Sequence, residues 1–528
     1  MAEIPKIPDI AEKDITPEVA QLLEVIRYQA ELIRQLSDEI AVLKGNKPRP
    51  RIKPSRMEKG DKGDKNNKTS DGKRPGSAKR SKTKELPIHK TVKVPAENVP
   101  VGSEFKGYRD FTVQGLVVKP HNILYRLERW RTPEGTYVEG KLPREVNGHF
   151  SPELKRYIMY QYHQCHVTQP LLLEALDEFG VDISSGQLSR ILTEGHDRFH
   201  EEKEDILSTG LEISSYINVD DTGARHKGKN GYCTHIGNKL FAWFKSTSSK
   251  SRINFLELLR AGRKDYHINE DALSYMKAQK LPQAQLRILK EEKQKVFSDD
   301  TEWNSHLHAL GITRKRHVRI ATEGALVGSI IENGFNLDLA VLSDDAGQFN
   351  VFLHGLCWVH AERTIDKITP FCEKHRRALE SSQEKIWKLY DDLNAYKKSP
   401  TLKQKTEFSR RFDTIFKEKT CFVTLNLALE RLYRNKAELL LVLDRPDIPL
   451  NNNESERDIR EYVKRRKVSG GTRADPGRRS RDTFTSLKKT CRKLGISFWE
   501  YLYDRISGKN EIPQLGLIIR EKTFASTY

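Results

Sequence analysis

Cysteine is scarce in this chain: six occur in 528 residues, at Cys165, Cys233, Cys357, Cys372, Cys421 and Cys491, with no Cys-x-x-Cys pair. That excludes a disulfide scaffold and a Cys-rich zinc module. Long apolar runs are also missing. The longest is Leu439–Leu443, and the first thirty residues carry acids and prolines rather than an apolar core. Neither a membrane span nor a secretory leader is therefore expected. What the sequence has in excess is positive charge: 92 Lys and Arg stand against 73 Asp and Glu, a formal net of +19. A polyanion is the natural partner of such a chain. At a typical ~150 residues per domain, its length predicts about three to four domains.

The charge is concentrated. Lys47 to Lys93 holds 17 Lys or Arg and 5 acids among Ser, Gly and Pro, a composition that cannot bury enough surface to fold alone. It reads as an arm that binds phosphates by counterion release, with a solvated linker as the alternative. Ahead of it, Leu22, Ile26, Gln29, Ile33, Leu36, Ile40 and Leu43 alternate spacings of four and three. This a/d seam predicts a dimeric zipper, or else an amphipathic helix docked on its own protein.

From Phe111 to Leu142 the pattern is extended, in Thr112–Val118 and Ile123–Leu127, with a turn at Pro133-Glu134-Gly135, and predicts a small antiparallel unit. Ser151 to about Leu207 reads as helical. Within it, Pro170–Phe179, a short turn, and Gly186–Glu194 have the arrangement of a helix-turn-helix, with Ser184 or Ser185 as cap. Such a motif would present Gln187 and Arg190 to a DNA groove; short helix pairs are also common in α-rich domains.

Chemistry is carried by three acids. Strand Ile213–Val219 runs into Asp220-Asp221-Thr222-Gly223, which places Asp220 where a strand meets a turn, and Tyr232–Asn238 with Leu240–Ser246 form a hairpin-like pair after it. Leu337–Ser343, apolar enough to be covered on both faces, leads into Asp344-Asp345. Ligands gather beyond the carboxyl ends of such strands. A third acid, Glu456, follows the Asn451-Asn452-Asn453 cap and shares a helix face with Ile459, Arg460 and Val463. Buried there it needs a cation, either Arg460 or a metal. Taken singly, each Asp fits a turn cap equally well. Together the three make an all-oxygen site suited to two Mg²⁺ or Mn²⁺ ions, the layout of a nuclease or strand-transfer centre. Beyond Glu456, Arg457, Arg460, Arg466 and Lys467 open a cationic cluster that continues to Arg481, fit for duplex phosphates.

The stretches Val219–Gly223, Leu342-Ser343-Asp344 with Cys357-Trp358-Val359-His360-Ala361-Glu362-Arg363, and Asn452–Arg460 followed by Arg466-Lys467 and Gly470-Gly471 resemble the catalytic blocks of DDE transposases of the insertion sequence 66 family. The resemblance covers roughly Ser151 to Leu502. It implies an α/β, RNase H-like mixed-sheet catalytic domain and divalent-metal catalysis by Asp220, Asp344 and Glu456, while Thr364–Leu443, dominated by Lys, Glu, Leu and Arg, itself reads as a helical insertion in that domain. The resemblance further implies binding to the terminal inverted repeats of a mobile element and to target DNA, as a homodimer or higher oligomer, in the bacterial cytoplasm at the nucleoid. Cys357 and His360 would be packing or supporting residues, since two ligands do not make a zinc site. The family pattern has Glu and Gly where this chain has Asp221 and Asp345, and the Cys-rich module it commonly carries has no counterpart in Val94–Phe150.

The expected organisation is a zipper-like helix (1–46), basic arm (47–94), small β unit (95–150), helix-turn-helix-like region (151–210), catalytic core (211–363 and 447–507) split by a helical insertion (364–446), and a tail (508–528). A non-catalytic DNA-binding derivative and a junction-resolving nuclease are the alternatives.

Overall fold

The computed structural model describes residues 87–143 and 148–525, together with seven positions between Thr16 and Gln29. Of the proposed zipper seam, Leu22, Ile26 and Gln29 are helical, with Leu22 and Ile26 exposed by 62% and 40%. Ile33, Leu36, Ile40 and Leu43, and the arm up to residue 86, lie outside the described residues.

The extended segment forms less sheet than its pattern predicts. Only β1 (Arg129–Arg131) and β2 (Tyr137–Glu139) pair, closed by the turn at Pro133-Glu134-Gly135, while Thr112–Val118 and Ile123–Leu127 carry no regular structure. The reason is the lack of a core: Phe111, Leu116, Val117 and Leu124 are all exposed, and a two-stranded hairpin cannot bury them.

Helices Pro152–His163, Gln169–Glu178, Ser185–Thr193 and Asp197–Ile213 follow. Ser184 is the residue that caps the third. Its hydroxyl accepts from the Gln187 amide at 3.2 Å, while the Gln187 side chain accepts from the Ser184 amide at 3.2 Å, a reciprocal capping box. Gln187 is thereby engaged by its own helix end, whereas Arg190 is exposed.

The centre is a five-stranded mixed sheet of β3 (Tyr216–His226), β4 (Lys229–Gly237), β5 (Ala242–Thr247), β8 (Ala340–Ser343) and β9 (Leu353–Leu356), in the order β5-β4-β3-β8-β9. β3, β4 and β5 are antiparallel, and β3, β8 and β9 parallel. β3 does not end at Asp220 as the sequence suggests. It continues to His226 and turns into β4 through Lys227 (φ 47°) and Gly228 (φ 76°), the two positive-φ positions of a tight hairpin turn.

The connection from β5 to β8 holds helices Arg252–Leu259, Glu270–Ala278, Gln283–Glu291, Asp300–Ala309 and Lys315–Glu332, with a two-residue pair β6 (Tyr266–His267) and β7 (Val296–Phe297). The first of these has helical apolar spacing in the sequence, over Ile253–Leu259. After β9, helix Trp358–Asp366 leads into the long helices Glu373–Tyr396, Leu402–Phe416 and Val423–Arg434, which share a core of their own around Leu389, Leu393, Phe412 and Leu425. Helix Asn453–Ser469 returns to the sheet, and helices Asp475–Leu494 and Phe498–Ser507 complete the main core. The expected tail contains helix Leu515–Ala525, docked on Asp197–Ile213 by buried Leu515 and Ile519 and by the Arg520–Glu212 ion pair at 2.5 Å.

Candidate functional site

Strand register places the first two acids. Parallel pairing of β3 with β8 runs from Tyr216↔Ala340 to Asn218↔Leu342. Asp220 and Asp344 each lie two residues beyond the last pair, so they leave adjacent strands at the same level and on the same face. Alternation sorts the rest of the sheet. The row Val219↔Ile236↔Trp243 is buried in the main core, and the next row, Asp220↔His235↔Phe244, faces the other way.

Helix Asn453–Ser469 covers that second face, with Ile459 and Tyr462 packed on Cys233 and Phe244. Its start is fixed by hydrogen bonds from the Asn452 side chain to the Val219 carbonyl (2.9 Å) and from the Asn452 amide to Cys357 Sγ (3.2 Å). Ser455 meets His235 Nδ1 at 2.6 Å. Buried Asp458 lies 2.8 Å from both Lys489 and Lys493 and 3.2 Å from His235 Nε2. Burial pushes the His235 pKa down, and Asp458 is held below the usual carboxylate range, against its own burial, by His235 and then by the two lysines.

Glu456, one turn into this helix, comes within electrostatic reach of the strand acids. Asp220 has its pKa pushed up to about 7, first by burial, then by the charges of Asp344 and Glu456, against the opposing Asp221 amide, which donates to it at 2.7 Å. Arg460 is exposed and is not the cation beside Glu456. That place is taken by Arg363 Nη1 at 3.3 Å; His360 Nε2, from the same helix Trp358–Asp366, lies 3.5 Å from the carboxylate. The Cys357–His360 pair is therefore divided between two tasks: Cys357 anchors Asn452, and His360 faces the glutamate.

The neighbouring acids are engaged elsewhere. Asp221 accepts from Thr234 at 2.5 Å and from Gln348 at 3.1 Å, and Asp345 is paired with Arg431. Asp344 is bound by the Ala346 amide at 3.2 Å, as in an Asx turn.

These donors suit a hard divalent cation: all are carboxylate oxygens, and their charges already oppose one another. Among the described residues no group of three His, Cys, Asp or Glu side chains stands in a metal-holding arrangement.

Of the expected DNA contacts, Arg457, Arg460 and Lys467 are exposed on the helix, whereas Arg466 bonds the Gly223 carbonyl and braces β3. Sequence reading misses the parts played by Asp458 and Arg363, and names Asn452 only within the cap, not as the anchor to Val219 and Cys357. The signals that point to them are a polar residue on an otherwise buried helical stripe, and the later Arg in the Cys357–Arg363 block.

Two comparisons bear on this site. The description "Transposase IS66 family" matches residues 342–480, a span that holds Asp344, Glu456 and the cationic helix. An uncharacterized protein, y4jO, of Sinorhizobium fredii (strain NBRC 101917 / NGR234) is 42% identical over 303 residues, 57% of this chain and 94% of that protein. The chain belongs to the IS66 family of transposases.

Proposed function

We propose that this protein is a metal-dependent DNA transposase that binds the terminal inverted repeats of its element and carries out strand cleavage and strand transfer with Asp220, Asp344 and Glu456. The observation that carries the reading is the matched exit of Asp220 and Asp344 from paired parallel strands, with the Glu456 charge reaching Asp220. The order β5-β4-β3-β8-β9, three antiparallel strands continued by two parallel ones, supports an RNase H-like catalytic fold. The exposed Leu22 and Ile26 support a zipper dimer, and the helix pair capped by Ser184 supports a DNA-reading region.

Two Mg²⁺ or Mn²⁺ ions held by the three carboxylates would supply an activated water on one side of the scissile phosphodiester and a stabilised leaving oxygen on the other. The chain's own residues do the positioning. Asn452, Ser455 and Asp458 hold the Glu456 helix on the strand face. Arg363 and His360 hold the Glu456 carboxylate, and Arg457 and Arg460 line the approach for phosphates.

Purified protein should nick a duplex carrying the element's terminal repeat only when Mg²⁺ or Mn²⁺ is added. Asp220→Asn and Glu456→Gln should reduce nicking to background while retaining salt-sensitive DNA binding. Persistent nicking by both variants would falsify the assignment. The Arg363–Glu456 pair favours a second reading, a DNA-binding derivative without catalysis, which would retain DNA at every Mg²⁺ concentration and never cut it. A preference for branched over linear substrates would instead mark a junction-resolving nuclease.

A further inference from the structure

The β3–β4 hairpin outruns its sheet. β3 pairs with β8 only as far as Asn218, and β4 pairs with β5 only from Tyr232 onward, while the two strands stay paired with each other to His226↔Lys229. Ala224–His226 and Lys229–Gly231 therefore form a two-stranded ribbon with no third strand on either side. Its tip is cationic, with Arg225, Lys227 and Lys229 all exposed.

A second segment is locked to this ribbon. The Thr472 amide donates to the Arg225 carbonyl at 2.9 Å and the Lys227 amide to the Thr472 carbonyl at 2.8 Å. Glycine is required for the approach. A Cβ on Gly471 would stand 2.4 Å from the Arg225 carbonyl oxygen, and Gly470 has φ +64°. The docking brings exposed Arg473 beside the tip. Asp475 is shared by Lys227 (2.5 Å), His226 (3.0 Å) and Arg478 (3.0 Å), so it orients the tip. No carboxylate among the described residues pairs with Lys229 or Arg473. Between the tip and the carboxylates, Arg457, Arg460, Lys464 and Lys467 stand at i, i+3, i+7 and i+10, exposed along one side of the helix that begins beside Glu456.

We propose that the β3–β4 ribbon tip, with Arg473, is a phosphate-gripping site for the arm of duplex DNA that leads away from the carboxylate centre. The inference rests on the transposase reading and adds to it a second, non-catalytic hold on the same duplex. A two-stranded ribbon is narrow enough to follow a DNA groove. Six residues of strand separate Asp220 from His226, about 20 Å at ~3.3 Å per residue, so the grip falls about six base pairs from the reacting phosphate. Contacts of this kind fix position without reading sequence.

The test uses the full-length protein and a random-sequence linear duplex, titrated at several salt concentrations. The Lys229→Gln/Arg473→Gln double variant should lower the slope of log K against log salt by about two, at ~0.9 for each phosphate that is no longer neutralised. Lys229→Arg/Arg473→Lys should keep the wild-type slope. On a duplex carrying the element's terminal repeat, which fixes the register, hydroxyl-radical protection by the Gln variant should disappear only from the outer part of the footprint. An unchanged slope and footprint in that variant, with wild-type protein still nicking in Mg²⁺, would overturn this inference and leave the transposase reading intact. Wild-type protein with no salt-dependent affinity for the duplex would sink both.

Discussion

Asp220 is where the proposed site can be tested without a substrate. Its ordinary value of 3.8 is pushed up to about 7 by burial and by the charges of Asp344 and Glu456. An acid whose folded value lies above its unfolded one binds more protons in the folded state, so stability falls as pH rises between the two. The penalty is absent below about pH 4 and complete above about pH 7. Removing that charge with Asp220→Asn should therefore make the metal-free protein more stable than wild type at pH 8. The gain should be roughly 2–4 kcal/mol, from ~1.4 kcal/mol per unit with allowance for partial solvent screening, and the two proteins should match near pH 4. Denaturant midpoints in EDTA at the two pH values measure this. Equal stability at pH 8 would show that the three carboxylates do not crowd one another.

At the scale of the element, the Glu456 helix depends on Asp458. Neutralising a buried acid that faces two lysine heads at 2.8 Å is costly, because the two like charges are then left beside each other without a counterion. Asp458→Asn should cost about 3 kcal/mol at pH 7, within the usual range for breaking a buried pair. The pKa of Asp458 is depressed: burial would raise it, but the close approach of His235 and the lysine charges outweigh that. A depressed acid contributes stability above its unfolded value, so the gap between variant and wild type should narrow as pH falls below 3.8. Denaturation at pH 7 and on acidification reads both effects, and a gap independent of pH would remove the lysine pairing as its cause.

The same helix marks how far the sequence is legible. Its existence, its Asn cap and Glu456 are readable from residue types and spacing. Its buried face is not, because half of that face is polar. Ser455, Asp458 and Arg465 are buried beside Ile459 and Tyr462, and each has its partner far away in the sequence: Ser455 in His235, Asp458 in two lysines, Arg465 in the Tyr162 carbonyl at 2.8 Å. Apolar periodicity cannot register such positions, so it offers Arg460 for a pairing that Arg363 makes. The strand carrying Asp220 is cut short in the sequence reading for a related reason. Asp-Asp-Thr-Gly has turn chemistry, but nine cross-strand partners on β4 override it.

At the scale of the whole molecule, the two large cores carry separate parts of the site. Asp220 belongs to the sheet backed by Asp197–Ile213 and Asp475–Leu494. The second core, in the insertion, reaches the site through buried Trp358, whose indole N–H bonds the Leu439 carbonyl at 2.8 Å and whose amide bonds the Leu450 carbonyl at 2.9 Å, just ahead of Asn452. The Arg431–Asp345 pair makes a second tie beside Asp344. Loosening the insertion should therefore disturb the position of Glu456 without unfolding the sheet. Phe412, fully buried beside Trp358 and Phe416, is the place to do it. Phe412→Ala should cost the insertion about 3–5 kcal/mol through the cavity it leaves. Hydrogen exchange should then accelerate across residues 373–450 while Asp197–Ile213 and Asp475–Leu494 keep wild-type protection. Nicking in Mg²⁺ should fall at temperatures where the sheet is still protected. Acceleration spread evenly over both cores would instead mean that the insertion and the sheet unfold as one unit, and that the insertion cannot be loosened apart from the strands that hold Asp220 and Asp344.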